Sequence, residues 1–385
     1  VLIQKCIIEF PNKFIKNQTY SKGIKSEFGD NPLVCEILKW SDFIYNEVEQ
    51  ELKQFFPPEK NGSSKISYMW AKTITCPNPN CVCEIPLIRQ YWLCKRKNLK
   101  ISLFPNVKGK KIIFSIVGDG HKSIPKNFDP EKGTISRGIA VCLNCGQVVD
   151  NKTIQNSFKN GNSSEIMTSA IISNIGRQSK LFRVITEEDQ RIFKKAEEYL
   201  EKKRQELIKK FDFDPVPDEE MPSKMTGCIA PPNYGYTKWG DLFNSRQKLF
   251  LITFVEKIKI VFSKMMEQDY DRDIARYILA YLAIGIDEIA RFSTNLNPWK
   301  VDVPAIVHIF GRQAISMVWD YNENNLLGKH GGTWKKRIYE QTQVLKNCVI
   351  DSKIPTKIFQ GTATKLSFSN DYFDAIFTDP PYYNS

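Results

Sequence analysis

The C-terminal residues of the chain combine the side chains needed to grip a nucleobase amine. Residues 373–377, apolar except for Asp374, predict a short strand that leads into Thr378-Asp379-Pro380-Pro381-Tyr382-Tyr383. The Asp379 carboxylate can accept a hydrogen bond from an exocyclic amine, and proline stiffens a backbone carbonyl aimed at the same nitrogen. Tyr382 offers a ring on which a base could stack. Two acceptors at one nitrogen would stabilise positive charge as it attacks a methyl donor. The candidate catalytic residues are Asp379, Pro380, Pro381 and Tyr382.

A second chemical signal comes from two compact cysteine pairs, Cys76 with Cys81 and Cys142 with Cys145. Two tight turns that each present two thiolates form the closed tetrahedral site that zinc prefers. The pairs are separated by 60 residues, more than the ~15–20 of compact zinc ribbons, and this predicts a strand-rich insertion between them. Gly146 suits a turn with positive φ. We expect these four cysteines to hold a structural zinc ion.

The other cysteines leave alternatives open. Cys83 could replace Cys81 as a ligand, although a Cys-x-Cys pair has poor geometry for two ligands of one ion. Cys94 also complicates the choice of metal ligands. The alternative to a metal site is a set of buried thiols. The remaining cysteines stand alone or in apolar runs and are predicted to be small core residues: Cys6, Cys35, Cys228 and Cys348.

Composition limits the class of protein. The 385-residue chain carries a net charge of +12, which favours a polyanionic partner such as nucleic acid. Its longest apolar runs fall short of the ~18 residues that predict a membrane span, and a signal-peptide pattern is missing. We therefore expect a cytoplasmic protein that binds DNA and not a membrane.

Hydrophobic periodicity predicts the elements that position these residues. Helices are expected over residues 33–56, 186–211, 246–266 and 271–292, the last two as an α-hairpin. Thr186 and Asp189 form a capping-box pattern at the start of the second helix. Short strands are expected at residues 72–75, 91–94, 99–104, 111–116, 357–359 and 373–377.

An aromatic loop at residues 231–243 suggests a nucleic-acid contact. Tyr236 and Trp239 could stack an unpaired base while Lys238 and Arg246 bind phosphates. The competing interpretation is a loop anchored by buried rings. Near the C-terminus, the predicted strand end at Gly361, Thr362 and Ala363 could approach a cofactor.

Taken together, these segments resemble the prokaryotic adenine-specific DNA methylases that contain a zinc ribbon. The resemblance is carried by residues 68–77, 234–243, 311–314, 319–321 and 378–383. It implies a Rossmann-like methyltransferase sheet, S-adenosylmethionine as the methyl donor, methylation of adenine N6 and flipping of the target base. It also implies partners from restriction or defence systems.

The resemblance implies an α/β fold: an incomplete Rossmann-like methyltransferase sheet with an inserted zinc-ribbon β subdomain and a helical middle region. The expected domains are a partial methyltransferase core at 1–65, the zinc-ribbon insertion at 66–160, a helical target-recognition region at 161–345 and a core strand with the catalytic motif at 346–385. The family's Gly-x-Gly-x-x-Gly donor motif is missing from the sequence. We therefore expect an internal piece of a longer enzyme, inactive alone.

Two other functions remain open from the sequence. The first is a zinc-ribbon module that binds nucleic acid without catalysis, for which the Asp379 motif at a strand end would be unnecessary. The second is an amino-methyltransferase that acts on RNA or on cytosine N4, because two acceptors and a ring fit several flat amines equally well.

Overall fold

A computed structural model describes residues 1–16, 31–174, 180–222, 228–311, 314–348, 356–362 and 364–379. These residues form a mixed α/β structure in which every pair of hydrogen-bonded strands is antiparallel. A layer of helices covers one face of a central five-stranded sheet. Smaller sheets cover the other face and extend to the cysteine pairs.

The N-terminal residues form one continuous helical run, α1. It consists of α-helical Leu2–Gln4, a π-helical turn Lys5–Glu9 and α-helical Phe10–Lys16. The Cys6 and Phe14 side chains are buried against the helical layer, whereas several apolar side chains of the first turns are exposed. Leu2 to Lys16 are thus helical throughout.

Four long helices follow the predicted pattern closely. They are α2 (Pro32–Leu52), α4 (Glu187–Phe211), α5 (Ser245–Glu267) and α6 (Arg272–Ala290). A short helix α3 (Asn151–Lys159) precedes α4, and α7 (Trp334–Cys348) closes the layer. Side chains at the ends fix the boundaries: the Asn31 side chain accepts bonds from the Leu33 and Val34 amides, and Thr186 with Asp189 forms the predicted capping box.

The helices pack into one apolar core. In α2 the side chains of Ile37, Ile44 and Val48 recur at helical spacing and are fully buried. Each such burial stabilises the fold by about 1.5–3 kcal/mol. The predicted pairing of α5 and α6 is confirmed, since the two helices pack against each other and against α2.

The central sheet contains β1 (Lys65–Thr75), β2 (Glu84–Leu87), β9 (Ser163–Ser173), β10 (Lys180–Val184) and β13 (Asp320–Asn324). Its strand order is β10-β9-β1-β13, and β2 also pairs with β1. In β1, Tyr68 and Trp70 face the helical core while Met69 and Ala71 face the smaller sheets. Because both faces are covered, β1 is buried along nearly its whole length.

Three smaller sheets complete the structure. The first contains β3 (Trp92–Arg96), β4 (Leu99–Lys108) and β5 (Lys111–Gly118). The second contains β6 (Ile135–Ser136), β7 (Ile139–Val141) and β8 (Val148–Val149), and the third pairs β11 (Trp299–Lys300) with β12 (Ala305–Ile306). The strand-rich insertion predicted between the cysteine pairs is therefore present.

Two expectations from the sequence differ from this architecture. A parallel Rossmann-like sheet is not found among the described residues, whose sheets are all antiparallel. The strands expected at residues 357–359 and 373–377 do not form, and the described part of 356–379 contains neither helix nor strand. A short apolar run becomes a strand only when a neighbouring strand pairs with it, and no such neighbour lies beside it in the described residues.

In the described residues, no helix is both long and apolar enough to cross a membrane.

Candidate metal centre and the buried polar network

Two tight turns bring the predicted cysteine pairs together. Cys76 and Cys81 flank the turn between β1 and β2, in which the Cys81 amide donates to the Asn78 carbonyl at 2.9 Å. Cys142 and Cys145 flank the turn between β7 and β8. Gly146 closes that turn with φ of 72°, as its place in the sequence predicted, and its amide donates to the Cys142 carbonyl at 2.9 Å.

The four sulfurs form a compact group that could bind a metal ion. All four Sγ atoms lie within 4.8 Å of one another, and the Cys76–Cys145 and Cys81–Cys142 pairs are each 3.7 Å apart. A tetrahedron with zinc–sulfur bonds of 2.3 Å has edges of about 3.8 Å, so the group is compatible with zinc. Four cysteine ligands would fill the tetrahedral coordination of zinc and leave no open position for a substrate.

Nearby amides already favour thiolate ligands. The Asn144 Nδ2 donates to Cys81 Sγ at 3.2 Å, and this bond is the main reason that the pKa of the Cys81 thiol falls to about 6. Burial instead raises the pKa of Cys76 to about 12. A cation would remove that penalty by pairing with the charge, because metal binding requires deprotonated sulfur. Asn144 is a neighbouring group of the kind that orients metal ligands.

The remaining thiols divide as the sequence predicted, with one exception. Cys83 is buried beside the group but donates to the Glu84 carbonyl, so Cys81 rather than Cys83 completes the four. Cys94 is buried in the core around β3, and Cys6 and Cys35 are buried among the helices. Cys228 is exposed, so its prediction as a core residue was wrong. The Cys348 side chain lies outside the described residues.

Arg246 does not contact solvent and cannot reach a phosphate. Its guanidinium is fully buried and makes two hydrogen bonds of 2.7 Å to the Glu323 carboxylate, which also accepts a bond from Trp70 Nε1. The rings of Phe56 and Tyr68 lie 4.3 and 4.5 Å from the guanidinium carbon. Its assignment as a nucleic-acid-binding residue is therefore corrected: it is half of a buried ion pair.

Lys72 organises a second buried network. Its ammonium donates to the Asn295 carbonyl at 2.8 Å and lies 3.2 Å from Glu165. It also lies 4.5 Å from the centre of the Tyr321 ring and 5.7 Å from that of Tyr236. Complete burial lowers the pKa of Lys72, and Glu165 opposes that shift. The Tyr321 hydroxyl donates to Glu165 at 2.7 Å, so the network holds one charge pair between aromatic rings.

The aromatic loop is mostly anchored rather than open. Tyr236 is half-buried beside Lys72, and Trp239 is half-buried against a small apolar cluster around Leu242. Asp241 accepts bonds from the Thr237 and Lys238 amides and so fixes the backbone of the loop. Among the residues predicted to bind nucleic acid, only Lys238 has an exposed side chain.

The C-terminal motif is described only up to Asp379. Asp379, Gly361 and Thr362 are exposed and lie in no helix or strand. The described residues do not include Ala363, Pro380, Pro381 and Tyr382. The arrangement predicted for these four therefore stays a prediction. In this segment the Ile358 amide donates to the Glu9 carboxylate of α1 at 3.0 Å.

Comparison with known proteins gives no relative: no family of known sequences, no curated protein and no solved structure matches the chain.

Sequence reasoning missed the roles of Lys72 and Glu323. A signal for Lys72 was available, because it follows Tyr68 and Trp70 at a spacing of two on a strand and must share their buried face. For Glu323 no such signal exists, since its partner Arg246 is 77 residues away in sequence.

Proposed function

We propose that the chain belongs to an S-adenosylmethionine-dependent DNA methyltransferase that acts on adenine N6, with the four cysteines holding a structural zinc ion. In this proposal Asp379 and the Pro380 turn accept hydrogen bonds from the flipped adenine amine, and Tyr382 stacks on the base. Gly361, Thr362 and Ala363 line the cofactor side. S-adenosylmethionine supplies the methyl group.

One observation carries the proposal: segments that resemble the methylase family meet in space. Lys72 from residues 68–77, Tyr236 from residues 234–243 and Tyr321 from residues 319–321 share one buried network. These segments are far apart in sequence, and a buried charge is costly unless its partners are all in place. Three of the segments that carry the sequence resemblance therefore lie together in the folded chain, which supports treating them as parts of one unit.

The decisive experiment compares Asp379→Ala with Asp374→Ala in the full-length gene product. Both side chains are exposed in the same C-terminal segment, so Asp374→Ala controls for the loss of a charge there. We expect Asp379→Ala to reduce transfer of labelled methyl groups to DNA by roughly 10²-fold or more, while Asp374→Ala stays near wild type. Mass spectrometry of the digested DNA distinguishes N6-methyladenine from N4-methylcytosine. Full activity of Asp379→Ala would refute the assigned role.

A second candidate, a metal-stapled nucleic-acid-binding module without catalysis, is favoured by a specific observation. The described residues of the C-terminal segment form no strand, and Asp379 is exposed rather than held at a sheet edge. Under this alternative the wild-type full-length protein binds DNA but transfers no methyl group in the presence of S-adenosylmethionine. Methyl transfer by the wild type would eliminate it.

A further inference from the structure

The positive charge of the chain is concentrated in one small part of it. Residues 91–140 contain eleven Lys or Arg residues and three Asp or Glu residues, so they hold a net +8 of the total +12. This segment includes the three-stranded sheet β3-β4-β5. All eleven basic side chains are exposed. Seven of the eleven, from Lys95 to Lys111, lie on the strands or turns of this sheet, which packs beside the cysteine group.

Three of these basic residues lie at the tip of the β4–β5 hairpin, residues 107–113. Lys108 and Lys111 are directly paired across the strands, and Gly109 with Lys110 forms the two-residue turn between them. Gly109 has φ of 62°, which a tight hairpin turn of this length requires. The three lysines are exposed.

This arrangement is unfavourable for the protein by itself. Like charges directly opposite each other destabilise a strand pair by up to about 1 kcal/mol. Within the part of the chain that the structure describes, no carboxylate lies within 4.0 Å of the Lys108, Lys110 or Lys111 ammonium groups. By contrast, the buried Lys203 ammonium of α4 is paired with both Glu51 and Glu256. Among the described residues, the lysines of the tip therefore lack the carboxylate partners that the charged side chains of the core have.

The tip is also held rigidly by the cysteine region. The Lys110 carbonyl accepts a bond of 3.0 Å from the Glu84 amide at the start of β2. The Ile112 side chain is buried in the same cluster as Cys76, Cys83 and Cys142. The hairpin is thus attached to the core around the cysteine group at its turn, through Lys110, and two residues further on, through Ile112.

We propose that this hairpin tip binds the phosphate backbone of double-stranded DNA. A two-stranded β-ribbon fits the major groove, which is about 12 Å wide, and three uncompensated ammonium groups match its phosphates. The exposed Val107 and Ile113 side chains stand beside the lysines, where they can contact thymine methyl groups. The tip contains neither Trp nor Tyr, the residues that typically anchor proteins at membrane interfaces.

The inference shares a DNA partner with the proposed function but concerns a different part of the chain. It is tested by binding rather than by methyl transfer, so an inactive protein that still binds DNA through the tip would leave it intact.

The test compares two triple variants of the whole chain with equal changes in charge. One carries Lys108→Gln, Lys110→Gln and Lys111→Gln. The control carries Lys194→Gln, Lys195→Gln and Lys202→Gln on the exposed face of α4. Fluorescence anisotropy measures binding to a short DNA duplex between about 50 and 200 mM salt. We expect the tip variant to bind at least about tenfold more weakly and its log–log salt slope to fall by about 3. Circular dichroism checks that both variants fold.

Three results would overturn the proposal. The first is an equal loss of affinity in the two variants, which would indicate a general charge effect. The second is a wild-type chain that fails to bind duplex DNA even at low salt. The third is binding to vesicles of anionic lipid by way of the tip with no binding to DNA, which would assign the surface to a membrane instead.

Discussion

The helical core and the cysteine region, residues 76–149, differ in the environment of their charged side chains. In the core, charges are buried and paired: Arg246 with Glu323, and Lys203 with Glu51 and Glu256. In the cysteine region the lysines at the hairpin tip are exposed and face each other. Paired buried charges are strongly destabilising to break because the remaining partner is left uncompensated. Uncompensated exposed charges instead provide attraction for a partner of opposite sign.

The two regions also differ in what holds them together. The helical core contains dozens of buried apolar side chains in one cluster. The sheet β6-β7-β8 has strands of two or three residues and few buried apolar side chains. A region this small needs an additional link such as a metal ion. We therefore expect metal removal to affect one region and leave the other folded.

The largest expected effect follows removal of the metal or of one ligand. Chelation of the metal, or Cys142→Ser, should unfold the cysteine region, because structural zinc contributes on the order of 10 kcal/mol to folding. Native mass spectrometry should find one zinc ion per chain. Hydrogen exchange should then rise in residues 76–149 but not in α5 and α6. Cys94→Ser, which alters a buried thiol outside the group, is the control and should retain the metal. A metal-free chain with full protection of residues 76–149 would contradict the comparison.

A smaller effect is expected in the core. Arg246→Leu should lower the free energy of unfolding by about 3–5 kcal/mol, because it leaves the Glu323 carboxylate buried without its partner. The double variant Arg246→Leu, Glu323→Leu should recover much of that loss, since neither charge then remains. Urea unfolding of the single and double variants measures both values. If the single change costs less than about 1 kcal/mol, the ion pair does not stabilise the core in the way proposed.

The smallest expected effect is a change in the pH dependence of stability. It involves Asp320 of β13, which lies beside Arg89 where the two regions meet. Burial raises the pKa of Asp320 to about 6, although Arg89 opposes the shift. The folded state therefore holds the proton more tightly than the unfolded state. This stabilisation is complete below about pH 4, declines as pH rises toward 6 and is absent above that, a loss of at most about 3 kcal/mol.

Asp320→Asn should remove this pH dependence. Its free energy of unfolding, measured by urea titration from about pH 4 to 7, should stay flatter than that of the wild type. Asp374→Asn, in the exposed C-terminal segment, is the control and should leave the wild-type profile unchanged. Parallel profiles for Asp320→Asn and the wild type would show that the Asp320 carboxyl titrates normally.

Several features could be predicted because they depend on local sequence. The cap of α4 at Thr186 and the spacing of Cys142, Cys145 and Gly146 act over a few residues, and the structure confirms both. Arg246 was assigned wrongly because a basic residue after an aromatic loop looks the same in sequence whether it faces solvent or a buried carboxylate. The strand expected at residues 373–377 failed for a related reason: its existence depends on a neighbouring strand, not on its own apolar run.

The sequence by itself determined the long helices, the two cysteine pairs as the candidate metal ligands and the net positive charge. These follow from residue types repeated at short spacings, where backbone geometry allows few alternatives. The tertiary structure alone decided which charges are hidden and which are presented. It buried Arg246 and Lys72 beside carboxylates from distant strands and attached the β4–β5 hairpin tip to the core around the cysteine group. The electrostatic environment of a side chain depends on its distance in space from other charges. When those charges lie on segments far apart in sequence, the distance is fixed only once the segments pack.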